Sequence, residues 1–199
     1  GDTLLNIYNE CVKAGSPDLP IIFTSTSKIT FPGAGVAVEA ASPNNVALLK
    51  GRMKYQTIGP DKLNQLRHAR MFRTVSDIER HMKRHAAILR PKFETVEKEL
   101  QKQLGDTGVA RWTTPKGGYF ISLYVLEGCA KRVEQLCANA GMILTPAGAT
   151  YPYGTDPKES NIRIAPSYPS VEEIEKASEV LALAVRYAAL EKLLSDKEN

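Results

Sequence analysis

A lysine preceded by three small hydroxyl residues, at the end of an apolar run, is the first place where chemistry can be read. The run is Leu19-Pro20-Ile21-Ile22-Phe23-Thr24, it leads into Ser25-Thr26-Ser27-Lys28, and glycines follow at Gly33 and Gly35. A loop lysine is ordinarily a hydrated point charge, because lysines are almost never buried. At the edge of an apolar strand, desolvation favours the neutral amine, and a neutral amine attacks carbonyls. Ser25 and Ser27 place hydroxyl donors for an anion beside it. The second candidate is Arg163 in Asn161-Ile162-Arg163-Ile164. A guanidinium offers a carboxylate a bidentate fork that lysine cannot reproduce. The bland alternative is a strand-edge arginine in a surface ion pair.

Weaker signals sit around these two. His81 and His85 are spaced to share one helix face, but Lys83 and Arg84 lie between them and no third ligand is evident, so a solvated face is expected and no metal. Gly33-Ala34-Gly35 lacks the third glycine and the helix of a dinucleotide fingerprint. Tyr151, Tyr153 and Tyr168 flank loops around Arg163, as a pocket wall or as ordinary packing.

The elements that must position these residues follow from periodicity. Leu4 to Ala14 reads as a helix stopped by Gly15, and Leu19 to Thr24 as a buried strand. Val36 to Ala41 is a second strand; Ser42-Pro43 then opens a helix through about Leu49, and Gly59-Pro60-Asp61 another. Val75 to Leu104 carries apolar residues at helical spacing (Val75, Ile78, Met82, Leu89, Phe93, Val96, Leu100), with Ser76 and Glu79 as a capping box. Pro91 lies inside it and is expected to kink or split it. Beyond Gly105 the reading is strands at Val109–Thr113 and Tyr119–Val125, a helix Cys129–Ala140 with Gly141 at C′, and a short strand Met142–Leu144. A loop follows from Thr145 to Ser160, then a strand at Asn161–Ile164. Ser170 and Glu173 form a capping box opening a last helix, with Ile174, Ala177, Val180, Leu181, Ala184 and Tyr187 inward.

Composition bounds the class. The chain has 199 residues, 43% hydrophobic and 24% charged, with a formal net charge of +4, enough for a domain with a real core. Arginines and lysines from Arg67 to Arg90 make the middle basic, but Asp77 and Glu79 interrupt them and no binding motif accompanies them, so nucleic acid is not expected. Cys11, Cys129 and Cys137 form no CxxC pair and read as reduced thiols of a cytoplasmic protein. No apolar run approaches a membrane span and no signal peptide is recognisable. Gly1 stands where a methionine would start a protein, which reads as an interior starting point.

Four segments, in order, carry a resemblance. Ser25-Thr26-Ser27-Lys28-Ile29-Thr30-Phe31-Pro32-Gly33 resembles the Ser-x-Ser-Lys…Pro-Gly segment of fold-type-I pyridoxal-phosphate-dependent aminotransferases. Pro115-Lys116-Gly117-Gly118-Tyr119-Phe120 resembles their Pro-x-Gly-Gly-aromatic turn, Gly141 to Pro146 a Gly-apolar strand, and Asn161 to Ala165 the arginine-bearing strand. Lys-Ile-Thr-Phe-Pro-Gly-Ala-Gly is similar to the aspartate-aminotransferase-like subgroup grouped with MocR regulators. The resemblance implies an α/β fold: the C-terminal portion of a large cofactor-binding domain over residues 1–74, a connecting helix over 75–104, and a small α+β domain over 105–199. It implies pyridoxal 5′-phosphate as cofactor, amino-acid and 2-oxo-acid substrates of the aspartate/2-oxoglutarate type, and a homodimer. Lys28 would carry the cofactor and move the proton at the substrate Cα, Ser25 and Ser27 would lie at the cofactor, with Ser25 bonding its phosphate, and Arg163 would bind the substrate α-carboxylate.

Two departures stand out. Where the family usually has a phosphate-clamping arginine, this chain has Gly35 and Val36, so either Arg52, Lys54 or a nest of backbone N–H groups substitutes or cofactor affinity is lower. The family's ring-nitrogen Asp, tyrosine, stacking aromatic and phosphate loop belong upstream of the lysine strand. Asp2 lacks the context to stand in, so this chain alone is expected not to transaminate. The alternatives are an effector-binding domain of a MocR-type transcription regulator, or a structural remnant.

Overall fold

The computed structural model describes residues 4–198, so the expectations about Gly1 and Asp2 fall outside the described residues. The residues cluster into two compact units, 4–86 and 87–198, each described by itself.

In the first unit, α1 (Ile7–Lys13) is capped by Asn6, whose side chain accepts from the Asn9 N–H. Strands β1 (Ile21–Ser25) and β2 (Ala37–Ala41) pair antiparallel, Ile21 opposite Ala41 and Ser25 opposite Ala37. The expected buried strand is instead a largely exposed one, with Phe23 71% exposed. Its one strand neighbour among the described residues is β2, and a two-stranded ribbon has little to bury against. Ser42 caps α2 (Pro43–Met53) with Pro43 in the first turn, and the helix runs a turn past Leu49. Asp61 caps α3 (Lys62–Met71) by accepting from the Leu63 and Asn64 N–H groups.

The long helix α4 (Val75–Leu104) begins in the first unit and ends in the second. Its box is Thr74 with Asp77, not Ser76 with Glu79. The Thr74 Oγ1 accepts from the Asp77 N–H at 3.3 Å, and the Asp77 carboxylate accepts from the Thr74 N–H at 3.0 Å. The same carboxylate oxygen also accepts from the Arg73 N–H at 3.1 Å. Pro91 does not split the helix, which continues through it for its full 30 residues. Proline costs the Ala87 carbonyl its N–H partner but leaves the rest of the ladder. The apolar stripe is buried only toward the C-terminal end: Val96, Leu100 and Leu104 are in the core, while Val75 and Met82 face solvent.

The second unit holds a three-stranded antiparallel sheet in the order β3 (Ala110–Trp112), β4 (Ile121–Val125), β5 (Asn161–Ile164). One face presents Ile121, Leu123, Val125, Ile162 and Ile164 to a core shared with α4, α5 (Ala130–Asn139) and α6 (Val171–Glu198). The period of two puts Ser122, Tyr124 and Arg163 on the other face. Helix α5 ends as expected: Gly141 adopts φ +84°, the Gly141 N–H donates to Ala138 O and the Met142 N–H to Cys137 O, a Schellman closure. Residues 142–144 form no strand, since they pair with no other; Ile143 is 92% exposed while Met142 and Leu144 pack on the core. The Ser170–Glu173 box forms in both directions, at 2.7 and 3.2 Å. Along α6, Val185 and Ala188 turn inward and Tyr187 outward, where the Arg132 guanidinium lies over its ring. Arg132 also grips Glu191 through two bonds of 2.7 and 2.8 Å, joining α5 to α6. Cys129 and Cys137 are buried, and burial pushes the Cys137 thiol up to about 11.

Candidate functional site

The lysine segment leaves β1 at Ser25 and turns at once. The Ile29 and Thr30 N–H groups both donate to the Thr26 carbonyl at 2.9 Å, and the Thr26 N–H donates to Val36 O. Ser25 and Ser27 come together: their hydroxyl oxygens are 2.6 Å apart, and the Ser27 N–H donates to the Ser25 hydroxyl at 3.0 Å. Both serines and Lys28 are exposed. Three of the four residues singled out from sequence thus share one short turn.

Gly35 closes that turn from the other side. A Cβ at this position would lie 3.0 Å from Thr26 Oγ1 and 3.4 Å from the Ser27 nitrogen, so a side chain would crowd the serine segment. That supplies a local reason why no arginine stands at 35. Of the N–H groups beside these glycines, that of Ala34 donates to Phe31 O and that of Val36 to Thr26 Oγ1. Lys54 lies over the Tyr55 ring at 5.0 Å, and Arg52 is an exposed residue in the last turn of α2.

Residues missed in the sequence hold the turn. His68, on α3, is buried; its Nε2 lies 2.7 Å from Thr30 Oγ1 and 3.2 Å from Thr26 Oγ1, and its Nδ1 is 2.7 Å from Asn64 O. His81 corrects another expectation. It is not a solvated side chain, for its Nε2 meets the Ile29 carbonyl at 2.8 Å, and its ring contacts Phe72 and His85. No group of three metal-ligating side chains comes together among the described residues. A local signal for either histidine was absent, since their partners lie far off in sequence.

Arg163 belongs to the second unit. It pairs across from Ser122, and its guanidinium stacks over Phe120 with 4.6 Å to the ring centroid. Its Nε is buried without a hydrogen-bond partner. A buried donor left unmatched normally costs about 1–3 kcal/mol, so it is a place where an acceptor would be welcome. Gly118, at φ +89°, makes the turn that brings Phe120 there. Asn161 ties the strand to its surroundings: it accepts from the Thr150 hydroxyl at 2.7 Å and donates to the Ser122 hydroxyl at 2.8 Å. Tyr153 and Tyr168 are almost fully exposed, so neither packs as a pocket wall.

Comparison with known proteins agrees with these motifs. The Aspartate amino-transferase family matches residues 1–197. A protein of Mycolicibacterium smegmatis, named as an aminotransferase, is 47% identical over 193 residues, which is 97% of this chain and 45% of that protein. An aspartate aminotransferase of Corynebacterium glutamicum is 48% identical over 178 residues, 89% of this chain and 41% of that protein. The crystal structure of an aspartate transaminase from the same organism superposes with a TM-score of 0.89 at 46% identity, covering 94% of this chain and 44% of that chain. This chain therefore spans less than half the length of the relatives it matches. By sequence along nearly its whole length, and by fold, the chain belongs to the aspartate amino-transferase family.

Proposed function

We propose that this chain is the lysine- and arginine-bearing part of a pyridoxal-phosphate-dependent aminotransferase acting on a dicarboxylic amino acid and its 2-oxo acid, aspartate and 2-oxoglutarate being the leading pair. The observation that carries the reading is the joined turn of Ser25, Ser27 and Lys28. Its residues fit the cofactor. Two neighbouring hydroxyls suit a phosphate, the absence of a Cβ at Gly35 opens space against them, and Lys28 supplies the amine. A homodimeric, cytoplasmic parent belongs to the same proposal, as do the domain limits at residues 74/75 and 104/105.

Bound there, pyridoxal phosphate supplies a carbonyl for the amino group and a ring that draws electrons from the substrate Cα. The chain's own residues do the rest. Ser25 and Ser27 donate to phosphate oxygens and fix the end remote from the reaction. Lys28 Nζ holds the cofactor before substrate arrives and then carries the proton at Cα, acting as nucleophile and general base in turn. Arg163 binds the α-carboxylate, with Phe120 supporting the plane of its guanidinium.

The test is reduction of the purified chain with borohydride in the presence of pyridoxal phosphate, followed by peptide mapping. Lys28 should carry most of the pyridoxyl label, and Lys28→Ala should remove that label while leaving the background on other lysines. Label spread evenly over the lysines, with Lys28 undistinguished, would overturn the cofactor reading.

A further inference from the structure

Around Lys28 the turn is held from α3 and α4 by two imidazoles, and the bonds of their Nε2 atoms all land within two residues of the lysine. His68 is one of the few buried residues in the first unit. Its Nδ1 faces the Asn64 carbonyl at 2.7 Å, and a carbonyl only accepts, so Nδ1 carries a proton. The opposite nitrogen, Nε2, is thereby aimed at the hydroxyls of Thr26 and Thr30, at 3.2 and 2.7 Å. These threonines bracket Lys28 symmetrically. Thr26 is itself fixed, because its hydroxyl accepts from the Val36 N–H at 2.9 Å and its carbonyl receives the Ile29 and Thr30 N–H groups. His81 adds a bond from Nε2 to the Ile29 carbonyl at 2.8 Å, and Phe31 meets the His68 ring edge-on.

A solvated lysine needs no such support. A lysine that must present Nζ at one place does, since an exposed turn samples many conformations and each costs effective concentration at the reacting carbon. We propose that His68 is a positioning residue for Lys28, fixing the Thr26–Thr30 turn through the two threonine hydroxyls, with His81 as its second support. The proposal rests on the cofactor reading for the reason that Lys28 must be held. The holding itself is independent of any cofactor.

The experiment compares wild type with His68→Phe, His68→Gln and Thr30→Val, using the full chain. The phenylalanine keeps a ring and loses both nitrogens, whereas the glutamine amide retains a polar atom toward the threonines. Two quantities are read: amide hydrogen exchange of residues 26–30 by mass spectrometry, and the share of borohydride-fixed pyridoxyl label on Lys28. His68→Phe and Thr30→Val should speed exchange at residues 26–30 at least fivefold and cut the Lys28 share of label severalfold. His68→Gln should recover most of both, and exchange in α2 should stay unchanged. The proposal is overturned by unchanged exchange at 26–30 in His68→Phe, by equal acceleration throughout residues 4–86, or by a glutamine variant as defective as phenylalanine. Wild type unlabelled at Lys28, with the exchange pattern as expected, would uphold the histidine support and overturn the cofactor reading alone.

Discussion

Asp156 shows how one carboxylate sets the loop before the arginine strand. It accepts from the Lys158, Ser160 and Asn161 N–H groups at 2.8–2.9 Å. Burial pushes its pKa up, but those backbone donors together with Glu159 outweigh burial and hold it below the ordinary value of 3.8. A depressed pKa means stability that is present above the unfolded value and lost as pH falls through the folded one. Asp156→Ala should therefore destabilise the chain at neutral pH by about 1–3 kcal/mol, the worth of hydrogen bonds to a charged acceptor. The gap from wild type, read from urea midpoints, should narrow below about pH 4. At this scale the sequence was uneven. Lys28 and Arg163 were legible because motifs of distinctive composition surround them. His68 was not, because β2 and α2 separate it in sequence from Thr26 and Thr30, a contact that only the fold creates.

Elements were legible where a cap or a period forced them. Gly141 ended α5 because only glycine is comfortable at φ +84°, and Ser170 opened α6 with its box. They were misread where burial depended on distant partners. The apolar run at 19–24 has the composition of an inner strand, yet its exposure is decided by what lies beside it, which composition does not encode. Residues 142–144 likewise have strand composition without a strand to pair with. The stripe along α4 looks uniform in sequence and is not. Leu100 is fully buried, whereas Val75 is 72% exposed. Leu100→Ala should cost about 2–5 kcal/mol through lost burial and the cavity left behind. Val75→Ala should stay within about 0.5 kcal/mol. Chemical denaturation of the two variants checks both, and equal losses would show that the whole stripe is packed in solution.

Across the whole chain, burial is concentrated. The core cluster draws all its members from residues 96–188, whereas the buried residues of the first unit are Pro20, Ser42 and His68. Slow amide exchange should accordingly be confined to β4, β5, α5, α6 and the C-terminal turns of α4, with residues 4–86 exchanging far faster. Exchange mass spectrometry checks this, and comparable protection in both units would contradict it. Among the described residues no helix is long and apolar enough to cross a membrane. The pairing of β5 with β4 carries a further consequence, for the time course of folding. The β3–β4 ladder closes a short hairpin, with Trp112 opposite Leu123, but Tyr124 meets Asn161 only after the chain has travelled through α5 and the loop that follows. Each doubling of a closed loop adds about 0.6 kcal/mol of entropy cost. The hairpin should therefore precede the third strand, and Arg163 should be among the last residues of its sheet to reach its place, so that its guanidinium meets Phe120 only late in the life of the nascent chain.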